Sequence, residues 1–243
     1  MNTLAGQIVA GVLCCAMIYA EWRRGYFARL APCLRQRRSQ VYARMLIVSA
    51  LLAAAIVPFD PRLQAFVQGL HAPLVVAWIQ VGGWLGKGTS LWFILSAIYA
   101  AARILRRATV QAVAFGCVIS AALASIASTF IKWATARARP NTNLGHLSFF
   151  HWSEVGRSLF QSLPSGDTII VAAVAWYLAY RCRNVPLGLR LIVFLLPLAT
   201  ACSRVFVNRH WPSDTILSFG LAAIAAHCVA RYETFCAAQS SDH

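Results

Sequence analysis

Long apolar runs, separated by short clusters of arginine, set the pattern of this chain. The runs extend from Leu4 to Ala20, Tyr42 to Phe59, Gly88 to Leu105, Thr109 to Phe130, Thr168 to Tyr180, Leu189 to Val207 and Ser213 to Ala230. A helix needs about 20 residues to cross a hydrocarbon core of roughly 30 Å, and backbone in lipid must satisfy its own hydrogen bonds. The pattern therefore predicts an all-α, polytopic transmembrane helical bundle of six or seven spans. The two counts differ in whether the short run from Leu4 to Ala20 crosses the bilayer or lies at its interface. The ten-residue alternating segments of a membrane β-barrel are not seen. Between Arg62 and Gly86, Leu63, Phe66, Val67 and Leu70 recur at helical spacing. That stretch reads as an amphipathic helix lying on the outer surface.

Composition sharpens this picture. Of the 243 residues, 59% are hydrophobic and 12% are charged, and the mean hydropathy is +0.62. A soluble domain of this length could not build a polar surface from that material. The net charge of +15 is carried in loops between apolar runs rather than on one basic face, which points to anionic lipid headgroups and not to nucleic acid. Loops on one side, 22–44, 103–108, 181–190 and the tail from 231, hold fourteen Lys and Arg. The other side holds eight: Arg62, Lys87, Lys132, Arg137, Arg139, Arg157, Arg204 and Arg209. The richer side is cytoplasmic by the positive-inside rule. The first run has its cations after it and lacks a basic start, so a cleaved signal peptide is not expected. Cys14, Cys15, Cys33, Cys117, Cys182, Cys202, Cys228 and Cys236 are scattered without a CxxC pair. They read as buried, inert thiols, and neither a zinc site nor a disulfide framework is expected.

Three polar elements stand at the ends of apolar runs, all on the less basic side. The first is Lys132 with Arg139-Pro140, the second Pro164-Ser165-Gly166-Asp167, the third Ser203-Arg204 with His210 and Asp214. Each has an ordinary explanation alone: a snorkelling lysine, a helix N-cap, a structural histidine. Together they collect three cations, an imidazole and two carboxylates where charge is costly and usually functional. Lys132 and Arg139 stand two helical turns apart, with Pro140 ending the helix. Lysine as a point charge and arginine as a fork match the oxygens of a phosphate. The helix start at Ser165-Gly166 offers free N–H groups to an anion. His210 and Asp214 are four residues apart with Pro212 between them, so the carboxylate can orient the ring and leave one nitrogen free to attack.

The residues in these blocks resemble the type 2 phosphatidic acid phosphatase superfamily: Lys-(six)-Arg-Pro, Pro-Ser-Gly-His, and Ser-Arg-(five)-His-(three)-Asp. The first and third blocks match in full and in order, and the resemblance spans about the last two thirds of the chain. It implies a metal-independent, cofactor-free lipid phosphatase with a helical core, in which His210 becomes a phosphohistidine and Asp214 orients it. Lys132, Arg139, Ser165, Gly166 and Arg204 would hold the phosphate oxygens. The corresponding organisation is an N-terminal apolar segment and basic cytoplasmic loop (1–41), a phosphatase-like membrane domain (42–235) and a short cytoplasmic tail (236–243). The site would open on the periplasmic side of the inner membrane, and the partner would be a membrane lipid phosphate.

The second block departs from the family, because Asp167 stands where the pattern has His. Three accounts follow: Asp167 is a protonated general acid, the leaving group is itself a phosphate and needs little acid, or activity is reduced. His146, His151 and Glu154, in the aromatic loop from Asn141 to Leu163, are other candidates for the proton. The expected activity is hydrolysis of a lipid mono- or diphosphate: a polyprenyl diphosphate, a lipid A-like glycolipid or a phosphatidyl phosphate. Transfer of the phosphoryl group to a second lipid, haloperoxidase chemistry known in the same superfamily, and a non-catalytic lipid-binding or transport role are the alternatives.

Overall fold

The computed structural model describes residues 4–28, 39–181 and 185–241. Arg29, Arg35, Arg37, Arg38 and Arg183 of the basic loops, with Cys33 and Cys182, lie outside the described residues. The apolar runs become helices α1 (Leu4–Arg23), α2 (Ser39–Ile56), α3 (Asp60–Gln68), α4 (Pro73–Leu85), α5 (Gly88–Ile104), α6 (Ala108–Thr135), α7 (Gly166–Arg181), α8 (Leu187–Ile192), α9 (Leu195–Phe206) and α10 (Pro212–Ser241). Among the described residues no strand occurs. Three stretches, Gln40–Gln68, Ala108–Thr142 and Pro212–Cys236, are long and apolar enough to cross a membrane, and α4 and α5 are shorter apolar helices. The expected all-α membrane bundle is what the chain forms.

The centre is the packing of α6, α7 and α10. Ala121, Ala124, Ala172, Ala173, Ala222 and Ala225 meet there, all buried. Lipid supplies no hydrophobic force between helices, so close approach of small residues supplies the contact instead. The same device joins α4 to α9: Gly82 and Gly86 lie against Ala199 and Thr200 with no room for a Cβ. Helix α1 docks through Glu21, which accepts hydrogen bonds from the Tyr99 hydroxyl and from Gln111 Nε2 at 2.9 Å. Six of the eight cysteines are described and none of the six is joined in a disulfide; Cys117 is buried, Cys15 is exposed and the other four are half-buried rather than fully buried as expected.

Three sequence expectations are corrected. The stretch from Arg62 to Gly86 is two helices, because Pro73 opens α4 after the break at Gly69. Of its apolar stripe Phe66 is 67% exposed and Leu63, Val67 and Leu70 are half-buried, while Asp60 is fully buried and Gln64 nearly so. In lipid the outer solvent is apolar, so the polar face turns inward. The run from Leu189 to Val207 divides into α8 and α9, with a turn at Val193-Phe194. Helix α6 ends at Thr135, ahead of Pro140, because Ala136 adopts a left-handed cap with φ 36°. Arg137 to Arg139 then run extended, held by Ala138 N–H on the Ser148 carbonyl, Arg139 N–H on that of Leu159 and Ser162 N–H on that of Arg137. Past the apolar stretch that ends at Cys236, α10 runs on through the tail as far as Ser241.

Candidate active site

His210 lies in the tight turn between α9 and α10. Asn208 takes φ 56°, and the N–H groups of Arg209 and His210 both donate to the Arg204 carbonyl, at 3.0 and 3.2 Å. Pro212 then opens α10 with a φ already suited to a helix start. The imidazole is buried, with Nδ1 2.7 Å from the Ser162 carbonyl. A carbonyl only accepts, so Nδ1 carries the proton and Nε2 keeps its lone pair. Burial holds the imidazole below its ordinary pKa, and although Asp214 pulls it upward, Arg139 and Lys132 push it further down. The ring is therefore kept neutral, the form that can attack.

Asp214 holds His210 less directly than the spacing suggested. Its Oδ2 is 3.6 Å from Nδ1, because other donors occupy the carboxylate. Ser162 Oγ donates to Oδ2 at 2.5 Å, Trp211 N–H donates to Oδ2 at 2.9 Å, and Arg137 Nη1 donates to Oδ1 at 2.6 Å. Asp214 thus fixes Ser162, whose carbonyl fixes the ring.

Arg137 was not singled out from the sequence, yet it organises this corner. It is fully buried and bridges Asp214 to Asp60, with Nη2 2.6 Å from Asp60 Oδ2. Its remaining donors reach Ser213 Oγ at 2.7 Å and the His146 carbonyl at 2.7 Å, and Phe149 stacks on the guanidinium at 4.7 Å. Asp60 also receives the Ser213 N–H at 2.8 Å. One helical turn and two turns beyond Asp60, Gln64 and Gln68 both donate to Asn208 Oδ1, so the inward stripe of α3 braces the histidine turn. The signal in the sequence was available: Asp60 is one of only seven acidic residues, placed at the end of an apolar run where a carboxylate must be paired.

Lys132, Arg139 and Arg204 arrive from the end of α6, the extended segment and the end of α9. Lys132 Nζ lies over Gly166, 3.2 Å from where a Cβ would stand. Ser165 caps α7, its hydroxyl 2.9 Å from that of Thr168 and its N–H 2.9 Å from Ser218 Oγ. The next N–H groups, of Gly166 and Asp167, have no partner among the described residues. Arg139 and Arg204 each bury an Nε that meets no acceptor, and among the described residues neither Lys132 nor Arg139 has a carboxylate within 4.0 Å. Buried donors are rarely left alone. Here they line a site that an anion would complete.

Asp167 is committed on both oxygens. Oδ1 accepts the Gly88 N–H at 3.0 Å and Oδ2 accepts Arg204 Nη1 at 3.1 Å. Arg204 is further held by the Gly83 carbonyl, 3.1 Å from Nη2. The other proton candidates make contacts of their own. Glu154 pairs with Arg157 at 2.7 Å on the surface, and His151 bonds Ser148 at 2.6 Å. His146 packs its ring against Trp211, 6.2 Å between centroids.

Two solved structures are similar in outline. LpxE from Aquifex aeolicus shares 19% identity over 70% of this chain and 94% of its own, with a TM-score of 0.49. A transmembrane PAP2 type phosphatidylglycerolphosphate phosphatase from Bacillus subtilis shares 17% identity over 96% of both chains, with a TM-score of 0.31. No curated protein sequence matches. The sequence model of the PAP2 superfamily matches residues 112–236, more than half of the chain and a span that contains all three motif blocks. The chain is a member of the PAP2 superfamily.

Proposed function

We propose that this protein is a lipid phosphatase whose nucleophile is Nε2 of His210. One observation carries the reading: a neutral, buried imidazole with its Nδ1 proton fixed stands among three cations, two of which bury unpartnered N–H groups. In the first step the Nε2–P bond forms as the P–O bond to the lipid breaks, and the electron pair leaves on the lipid oxygen. In the second, water adds hydroxide to phosphorus, the N–P pair returns to Nε2, and the released proton passes to solvent. Lys132, Arg139, Arg204 and the N–H groups at the start of α7 stabilise the charge on the phosphoryl oxygens. Asp214 positions the ring through Ser162, and Asp167 positions Arg204.

The substrate is a phosphorylated membrane lipid, since the site stands at the end of helices that cross or enter the bilayer. The lower count of Lys and Arg on this side supports an extracytoplasmic opening in the cytoplasmic membrane. The test is phosphate release by the purified protein in lipid nanodiscs, measured across lipid mono- and diphosphates, with trapping of acid-labile phosphate on the protein. Wild type should release phosphate, and His210→Ala should lose both turnover and the trapped label. Undiminished release by His210→Ala would end the proposal.

A further inference from the structure

Beside Asp167 and Arg204, outside the phosphate cluster, lies a cavity of about 840 Å³. It is lined by Lys87, Thr89 and Arg209 in addition to the Asp167–Arg204 pair, and by apolar residues that include Ile18, Trp92, Val118 and Ile170. Among the described residues, no carboxylate lies within 4.0 Å of Lys87 or Arg209. Lys87 is half-buried at the head of α5, directly before the Gly88 whose N–H Asp167 holds. Arg209 adjoins His210 and is close enough to Arg139 for their charges to repel. The cavity thus shares Arg204 and Asp167 with the phosphate site, and adds two cations, the half-buried Lys87 and the exposed Arg209, beside apolar side chains. A second cavity, about 830 Å³ between α2, α3, α9 and α10, has Arg44 near the start of α2 as the one cation among its lining residues and offers nothing comparable to an anion.

We propose that this cavity is a second anion subsite, built by Lys87 and Arg209, that holds the inner phosphate of a lipid diphosphate while the lipid chain enters along α1 and α5. The inference rests on the phosphatase reading and names its substrate class. In the reaction, His210 Nε2 bonds to the outer phosphorus as the bond from that phosphorus to the bridging oxygen breaks. The electron pair leaves on the inner phosphate, where Lys87, Arg209 and Arg204 meet the added charge. That leaving group needs no proton, in keeping with an Asp167 whose two oxygens both accept hydrogen bonds. Helix α1, which precedes the family match at residues 112–236, contributes Gly11, Cys14, Cys15 and Ile18 to the wall. Substrate choice is accordingly set in part by a segment outside the superfamily core.

The experiment compares wild type with Lys87→Gln/Arg209→Gln in two ways. Calorimetry measures binding of methylenebisphosphonate and of methylphosphonate, neither of which turns over. Wild type should prefer the bisphosphonate, and the double variant should lose about tenfold or more of that preference. Steady-state kinetics on a polyprenyl diphosphate and the monophosphate of equal chain length should show the ratio of their kcat/KM values falling by a similar factor. Neither side chain has an ion-pair partner to lose, so the Tm of the variant should match wild type. Absence of the bisphosphonate preference in wild type, or its survival in the double variant, overturns the subsite. If wild type releases phosphate from no lipid yet shows the preference and its loss, the phosphatase reading falls and the anion subsite stands.

Discussion

Replacing Arg137 by Gln tests the load that one buried guanidinium carries. Arg137 stands between two buried carboxylates, 2.6 Å from each. Gln keeps an amide donor but removes the charge, leaving Asp60 and Asp214 buried with two negative charges and no compensating cation at their centre. Two charge-assisted hydrogen bonds are lost at about 1.5–3 kcal/mol each, and breaking a buried pair by deleting one partner typically costs about 3–5 kcal/mol. The two routes agree on about 3–5 kcal/mol. For a chain of this size that lowers Tm on the order of 10 °C, readable by fluorescence-detected size-exclusion after heating in detergent. Asp214 would also release its grip on Ser162 and the His210 ring, and a displacement of that kind costs kcat on the order of 100-fold. Adding Asp60→Asn removes one of the stranded charges, so the double variant should recover part of the loss, with a coupling of about 1–3 kcal/mol. A single variant within about 3 °C of wild type, or a strictly additive double variant, would refute the reasoning.

Further outcomes are expected from other parts of the site. Gly166→Ala sets a Cβ 3.2 Å from Lys132 Nζ, the far end of a flexible chain, so Lys132 should move and KM should rise severalfold with little change in Tm. Because burial and the cations Arg139 and Lys132 lower the His210 pKa, the imidazole stays neutral below its ordinary value near 6.5. The acid limb of kcat/KM should lie below that pH, and Arg139→Gln should move it upward. The same shift makes the unfolded chain take up this proton first, so His210 contributes stability above about pH 6.5 that is lost as pH falls through its folded value, readable as Tm against pH. Asp167→Asn removes the negative partner of Arg204, so inorganic phosphate should inhibit at a severalfold lower concentration; collapse of monophosphate turnover with diphosphate turnover kept would instead make Asp167 the proton donor. Gln64→Leu unties one of the two donors on Asn208 and should cost about 1 kcal/mol with a measurable drop in kcat.

Legibility from the sequence divided by the range of the interactions. The apolar runs predicted the helices because helix formation in lipid is a local requirement of about 20 residues. Lys132, Arg139, Arg204, His210 and Asp214 stood out as candidates because charged and titratable groups are scarce and fall at the ends of runs, and Ser165 and Gly166 because they open a helix. What was not legible has a common cause. The inward turn of α3's polar face depends on which solvent surrounds the helix, and the early end of α6 depends on strand-like contacts with residues 148 to 162. The holder of His210 Nδ1 is a carbonyl forty-eight residues away, invisible to spacing.

The amino-acid order alone determined that this chain is a helical membrane bundle with its few charged side chains at the ends of apolar runs, because hydropathy and scarce charge act on neighbours in sequence. The tertiary structure decided that Arg137 and Asp60 fasten Asp214, that Asp167 is engaged with Arg204 and Gly88, and that Lys87 and Arg209 face a cavity beyond them. Those pairings of Arg137 and of Asp167 bring together residues 37 to 79 positions apart, and only the packing of the helices fixes which buried charge finds which partner.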